Sequence, residues 1–286
     1  MNILKSIFVT MYMMSAMLIM VFAAWSLWKT GDYLSWGGVL LVTAPFMMLL
    51  GWLMISTSIA RTSERFPVLN GLGVLGVALA SWGYFQGGSA NAPILALIGW
   101  GGFLIYAYWY SSFGREPSQQ LKVGQKLPEF KTKNTQGDVV SSALLTDKPA
   151  IWMFYRGAWC PLCMAQIKEL VEQYKELQAM GVRVALVAPQ PHQNTIGLAK
   201  KFGVEFDFLT DEGNQAARIL GIANPQGLPM GMQMLGYDSE TVLPTVIITD
   251  TNGIILWAHE TDNYRVRPEP DVFLTVLREN QLAAAV

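Results

Sequence analysis

The chain is poor in the residues that do most catalytic work. Cys160 and Cys163 are the only thiols in 286 residues, and His192 and His259 the only imidazoles. A structural zinc site takes four Cys, His or carboxylate ligands, and a catalytic one takes three plus water. The two histidines stand at no ligand spacing to the cysteines, so neither a metal nor an organic cofactor is expected. Lysine and arginine (20) nearly balance aspartate and glutamate (21), with no basic stripe, so no nucleic-acid partner is expected either. There is no internal repeat and no low-complexity tract.

Charge is scarcest at the start. Up to Gly114 the only charged side chains are Lys5, Lys29, Asp32, Arg61, Glu64 and Arg65. Between them lie four apolar runs, residues 7–28, 33–60, 66–88 and 92–114. Each reaches the roughly 20 residues a helix needs to cross a bilayer core. Trp25, Trp28, Tyr33, Trp36, Trp82, Tyr84, Trp109 and Tyr110 sit near run ends, where aromatic belts form. The first run is too long for a signal-peptide core and is followed by three more spans. The runs hold no acid, base, His or Cys, which argues against a pump, an intramembrane haem site or a thiol relay through the membrane. Gly71, Gly73, Gly76 and Ala80, and again Gly99, Gly101 and Gly102, form small-residue stripes suited to close helix packing. Lys5, Arg61, Arg65 and Arg115, then Lys122 and Lys126, fall on one side, against Lys29 on the other. The expected topology is N-terminus in, with the C-terminal part on the cytoplasmic face of a bacterial inner membrane. Residues 1–114 thus read as a four-helix transmembrane domain in contact with lipid, 115–121 as a polar linker and 122–286 as a soluble domain.

The soluble part alternates strand and helix patterns. "AIWMFY" (150–155) is a continuous apolar run, as in a strand covered on both faces. Met164, Ile167, Leu170, Val171, Tyr174 and Leu177 then recur at helical spacing. Residues 182–188 read as a second strand, with helices over 194–202, 214–220 and 271–280. Residues 245–250 and 254–259 flank an Asn-Gly turn signal and read as a hairpin. The pattern predicts an α/β sandwich.

"AWCPLC" (158–163) joins the first strand to the first helix. A CxxC at a helix N-terminus lowers a thiol pKa, because free N–H groups and the helix dipole favour the thiolate. Pro161 suits the first turn because it needs no N–H partner. The spacing lets the pair interconvert between dithiol and disulfide, a two-electron switch. A static disulfide would close only a short loop and gain little.

The stretches "VGQKLPEF", "FYRGAWCPLC", "VALVAPQ", "FLTDEGNQAARILGI", "LPTVIITDTNG" and "NYRVRPEPDVF" resemble the AhpC/TSA (redoxin) peroxiredoxin-like family with a CxxC motif. The resemblance implies a thioredoxin-like α/β fold. It also implies thiol-dependent antioxidant activity on a peroxide or disulfide, with recycling by a thioredoxin-like or glutathione thiol. Two patterns meet in the motif. Read as peroxiredoxin, Cys163 takes the peroxide-attacking place, with Arg156 replacing a proline and Cys160 a threonine. The arginine that typically follows the later proline is missing, since Thr245 follows Pro244. Read as thioredoxin, Cys160 is the exposed nucleophile, Cys163 resolves, and Pro244 is a cis-proline facing the dithiol. Thioredoxin's buried acid is replaced by Phe154.

Arg156 is a candidate to hold a thiolate or oxyanion. Tyr264, Arg265 and Arg267 are candidates to reach the site from the last loop, and Trp159 to shield the dithiol. Residues 223–242 form a long loop with Met230, Met232 and Met234, suited to a lid or partner platform. The competing class is a redox-sensing membrane scaffold without turnover. Oligomeric state stays open.

Overall fold

The computed structural model describes residues 2–284; residues 285 and 286, assigned above to the end of the soluble domain, lie outside it. The chain divides into two compact units, one of residues 3–56 and 62–113, the other of residues 2, 57–61 and 114 onward.

The first unit is all helix: α1 (Asn2–Thr30), α2 (Tyr33–Ser56), α3 (Pro67–Phe85) and α4 (Asn91–Leu104), the last continuing as a π-helical segment, Ile105–Tyr110. All four are long and apolar enough to cross a membrane by length and composition. Their outward positions carry Met11, Leu18, Trp28, Ile55, Val68 and Phe85, exposed side chains that water would not tolerate in such density. Inward, small residues bring backbones together. A Cβ on Gly38 would lie 2.5 Å from the Gly76 carbonyl oxygen and 2.6 Å from the Ala80 nitrogen. Gly73 seats the Trp100 ring and Gly102 the Tyr12 ring, whereas Gly71 and Gly101 face open space. These stripes serve packing within the bundle.

The second unit opens with β1 (Lys131–Lys133), β2 (Val139–Ser141) and β3 (Ala150–Phe154). Then come α5 (Pro161–Glu172), α6 (Tyr174–Ala179), β4 (Arg183–Ala188), α7 (His192–Phe202), β5 (Asp207–Thr210) and α8 (Gln215–Ile219). The short ladder β6 (Ala223–Asn224) and β7 (Thr241–Val242), the hairpin β8 (Thr245–Thr249) and β9 (Ile255–Glu260), and α9 (Pro270–Ala284) complete it. The main sheet runs β2-β1-β5-β4-β3-β8-β9. β3 pairs parallel with β4 and antiparallel with β8. This is a thioredoxin-like, peroxiredoxin-like α/β fold.

β3 is buried along its whole length, which is why it reads as an unbroken apolar run. Trp152 packs edge-on against Phe130 and satisfies its indole N–H on Thr249 Oγ1 at 3.1 Å. The Asn-Gly turn is a loop longer than two residues, in which Asp250 Oδ1 accepts from the N–H groups of Asn252 and Ile254, both at 2.8 Å. Gly253 supplies the positive φ the turn requires. The helix expected over 164–177 breaks at Gln173 into α5 and α6. The 223–242 loop has paired ends, with Ala223 opposite Val242 and Asn224 opposite Thr241.

Gly38→Val should destabilise the purified protein by about 1–3 kcal/mol through overpacking. Gly101→Val, which meets nothing within 4 Å, should leave its stability near that of the parent. Thermal melting in detergent compares the two.

Candidate active site

β3 ends at Phe154 and the chain turns through Tyr155–Trp159 before α5 begins. Three polar anchors hold this turn. The Ala158 N–H donates to Gln190 Oε1 (2.8 Å), Gln190 Nε2 donates to the Tyr155 hydroxyl (3.0 Å), and the Thr241 hydroxyl donates to the Arg156 carbonyl (3.2 Å). Gly157 has φ +136°, and a Cβ there would lie 2.9 Å from the Trp159 ring and 3.0 Å from Tyr237. Only glycine fits both constraints.

Cys160 is the N-cap of α5 and Pro161 occupies the first turn. The Cys163 N–H donates to Cys160 Sγ at 3.3 Å, so a sulfur takes the role a Ser or Asp oxygen usually has there. Both cysteines are free thiols, Cys160 2% and Cys163 0% exposed.

Two arginines flank them. Arg267 Nη2 points at Cys163 Sγ (3.4 Å) and more distantly at Cys160 Sγ (3.9 Å). Its other donors are fixed, Nη1 on Gln166 Oε1 (2.9 Å) and Nε on the Tyr264 carbonyl (3.1 Å). Arg156 donates to the Gly227 carbonyl (2.9 Å) and lies over the rings of Trp159 (4.6 Å) and Tyr264 (5.5 Å). Both guanidinium groups are buried.

The electrostatics separate the two sulfurs. Burial pushes both thiols up. At Cys163 this is overcome by a hydrogen bond from Cys160, the Arg267 charge, the Arg156 N–H and the Arg156 charge, which bring it down to about 6. At Cys160 burial and the neighbouring Cys163 dominate, and the arginines do not offset them, so it is raised well above the usual thiol value. Burial and the Cys163 charge also push the Tyr155 hydroxyl up, so it is held as a neutral donor or acceptor near the site.

The dithiol, Arg156, Trp159, Tyr264 and Arg267 come together as one cluster. Arg265 is fully buried, and its backbone N–H is held by Asn263 Oδ1 (3.1 Å). Pro244 departs from its expected geometry, because its peptide bond is trans. Trans is the ordinary state of an X–Pro bond. Here the flanking Leu243 N–H pairs with the Ile222 carbonyl at 2.8 Å and Thr245 enters β8 directly. The Thr245 hydroxyl is engaged by the Leu243 carbonyl and Arg115 Nη2, at 2.8 and 3.0 Å. Gln166, Gln190 and Arg115 were not singled out by sequence reasoning. Gln166 carried a signal: it follows Cys163 by three residues, so it shares the helix face that holds the sulfur. Among the described residues, no group of three or more His, Cys, Asp or Glu side chains gathers as metal ligands.

A buried dithiol at a strand-to-helix turn of this fold, with a guanidinium 3.4 Å from one sulfur, is the site of a thiol-dependent oxidoreductase. Within that class, the AhpC/TSA family matches residues 123–258. A chloroplastic peroxiredoxin Q of Populus jackii is 25% identical over 168 residues, covering 55% of this chain and 79% of that protein. The thiol-disulfide oxidoreductase ResA of Geobacillus thermodenitrificans is 24% identical over 163 residues, covering 56% and 79%. The chain spans about half the length of three further plant peroxiredoxins Q (48–53%). A crystal structure of the peroxidoxin BcpB from Mycobacterium tuberculosis superposes with a TM-score of 0.47 at 18% identity, covering 56% of this chain and 97% of that one.

Thiolate absorbance of the reduced protein should rise through a first midpoint near pH 6. Cys163 is protonated below that pH and ionised above it, so its alkylation rate should fall about tenfold per unit on the acid side. Removing the Arg267 charge in Arg267→Ala should raise the midpoint by about one to three units.

Proposed function

We propose that the chain is a membrane-anchored dithiol peroxidase in which Cys163 attacks and Cys160 resolves. The observation that carries this reading is the Arg267 guanidinium, 3.4 Å from a fully buried Cys163 sulfur whose pKa is drawn down to about 6. A thiolate this enclosed suits a small oxidant better than a folded protein.

The cycle balances within the two sulfurs. Cys163 thiolate attacks the terminal peroxide oxygen of ROOH; the O–O bond breaks, the sulfur becomes a sulfenic acid, and the leaving alkoxide takes a proton from water to give ROH. The Cys160 sulfur then displaces hydroxide from the sulfenic acid, its thiol proton goes to that hydroxide, and disulfide and water form. Two equivalents of an external thiol, thioredoxin-like or glutathione, restore the dithiol and leave as a disulfide. No step calls for a metal or organic cofactor. Arg267 stabilises the thiolate and the charge developing on the peroxide oxygens. Arg156 holds the turn and adds positive potential, while Trp159 and Tyr264 sandwich it. Pro161 preorganises the first turn of α5. Pro244 and Thr245 serve as the wall behind Arg267, and Arg265 as a buried support of the last loop.

Residues 1–114 act as a lipid anchor, 115–121 as a linker and 122–286 as the catalytic domain. The Lys and Arg bias supports a cytoplasmic catalytic domain at a bacterial inner membrane.

Thiol-disulfide exchange led by Cys160 is the second reading. It is favoured by the N-cap position of Cys160, by its residual exposure and by the similarity to ResA. A sulfenic-acid trap decides between them. After one equivalent of peroxide, Cys160→Ser should carry a stable sulfenic acid at Cys163, and Cys163→Ser should carry none and lose peroxide turnover. Mixed disulfides with protein substrates accumulating on Cys163→Ser, with no peroxide turnover by the parent, would instead favour exchange.

A further inference from the structure

Beside Arg267 the fold leaves a small space of about 10 Å3, walled mainly by apolar atoms and lined by Phe154, Gln166, Pro244, His259, Thr261 and Arg267 among others. Two of these residues bring buried polar atoms without a hydrogen-bond partner, Gln166 Nε2 and His259 Nε2. Gln166 is 1% exposed. Buried polar atoms are nearly always satisfied, and leaving one unpaired costs about 1–3 kcal/mol. The orientation of the Gln166 amide is not free. Arginine only donates, so the oxygen must face Arg267 and the NH2 must face elsewhere.

We propose that this cavity is a binding site for a single water molecule, and that His259 acts through that water as a positioning residue for Arg267. The space matches one water, which needs about 10–15 Å3 and two to four polar partners. The water accepts from Gln166 Nε2 and donates to His259 Nε2, with the ring in its Nδ1–H tautomer. Its second O–H has a lone pair on the Thr261 hydroxyl, whose own proton is committed to the Asn263 carbonyl at 2.6 Å. The chain of bonds then runs His259, water, Gln166, Arg267, Cys163. Arg267 already selects the amide oxygen, and the water held by His259 pins the other end of the amide, so together they fix where that oxygen sits. If the acceptor is lost, the water and the NH2 lose that hold, the amide shifts, and Arg267 loosens from the sulfur.

The surroundings of His259 suit a neutral acceptor. Burial and the charges of Arg115 and Arg267 lower its pKa, against a smaller opposing pull from Glu260. Trp257 stacks on the ring at 5.7 Å and fixes its plane. The anchor comes from β9, on the far side of β8 from the strand that feeds the CxxC.

The inference rests on Cys163 being the thiolate, and one titration separates the two claims. Thiolate absorbance is followed against pH in the full-length reduced protein carrying Cys160→Ser, where Cys163 is the only thiol and the serine hydroxyl still donates to it. A midpoint far above 6 in this parent would contradict the thiolate assignment itself. With the parent near 6, His259→Phe keeps the ring stack but removes the acceptor and should raise the midpoint by about one unit. His259→Gln keeps an acceptor near the Nε2 position and should stay within about 0.3 unit of the parent. His259→Leu repeats the test should the phenylalanine variant fail to fold. An unshifted midpoint in the acceptor-less variant, or a glutamine variant that shifts as far as phenylalanine, would overturn the proposal.

Discussion

The proposed site turns on one buried contact, that of the Arg267 guanidinium with the Cys163 sulfur. An isolated thiolate would not persist where both cysteines are hidden from water, because burying an uncompensated charge costs several kcal/mol. The guanidinium removes that penalty, but only if its fork is held still. Gln166 and the Tyr264 carbonyl take the other N–H groups, so the remaining one is aimed at sulfur. Every other feature of the site supports that alignment. β3 fixes the start of the turn, Gly157 lets it fold tightly, Gln190 and Thr241 tie it down, and the α5 N-terminus presents both sulfurs to the arginine.

In the proposed mechanism the same arrangement gives the two cysteines unequal roles without any third thiol. They share a helix cap, yet the donors converge on Cys163. Cys160 donates its proton to that sulfur and waits as the neutral partner. An enclosed thiolate with a resolving thiol at hydrogen-bond range suits a small oxidant and a self-contained cycle. The four apolar runs hold no Asp, Glu, Lys, Arg, His or Cys that could take part in this chemistry. Their glycines pack helix against helix, and their outward methionines and leucines belong to helices long and apolar enough to cross a membrane.

Much of this was legible in the sequence because it was carried by local patterns. Four long uncharged runs read as long apolar helices, and a fully apolar strand running into CxxC with proline between the cysteines points to a motif at a helix start. Other elements lacked such signals. β1 (Lys-Thr-Lys) and β2 (Val-Val-Ser) are strands of only three residues, too short to show a period, and β5 is four residues that pair with two neighbours. Pairing partners far along the chain, which a window of residues does not show, make them strands. The arginine that a peroxiredoxin motif places after the later proline is absent, since Thr245 follows Pro244, and Arg267 could be read from the sequence only as one of several candidates on the last loop. The charge arrives instead from Arg267, over a hundred residues past Cys163 and beyond the hairpin, and only the folded chain returns it to the sulfurs. The cis form suggested for Pro244 followed the thioredoxin pattern of "LPT", whereas its peptide bond is trans.

The most direct measurement is a site-resolved titration of the reduced parent protein, with 13Cβ-labelled cysteine read by NMR from pH 4 to 11. Cys163 should titrate near pH 6, with Cys160 remaining a thiol until well above the ordinary cysteine range. If Cys160 titrates first, the arginine serves the other sulfur and the account of this site is wrong.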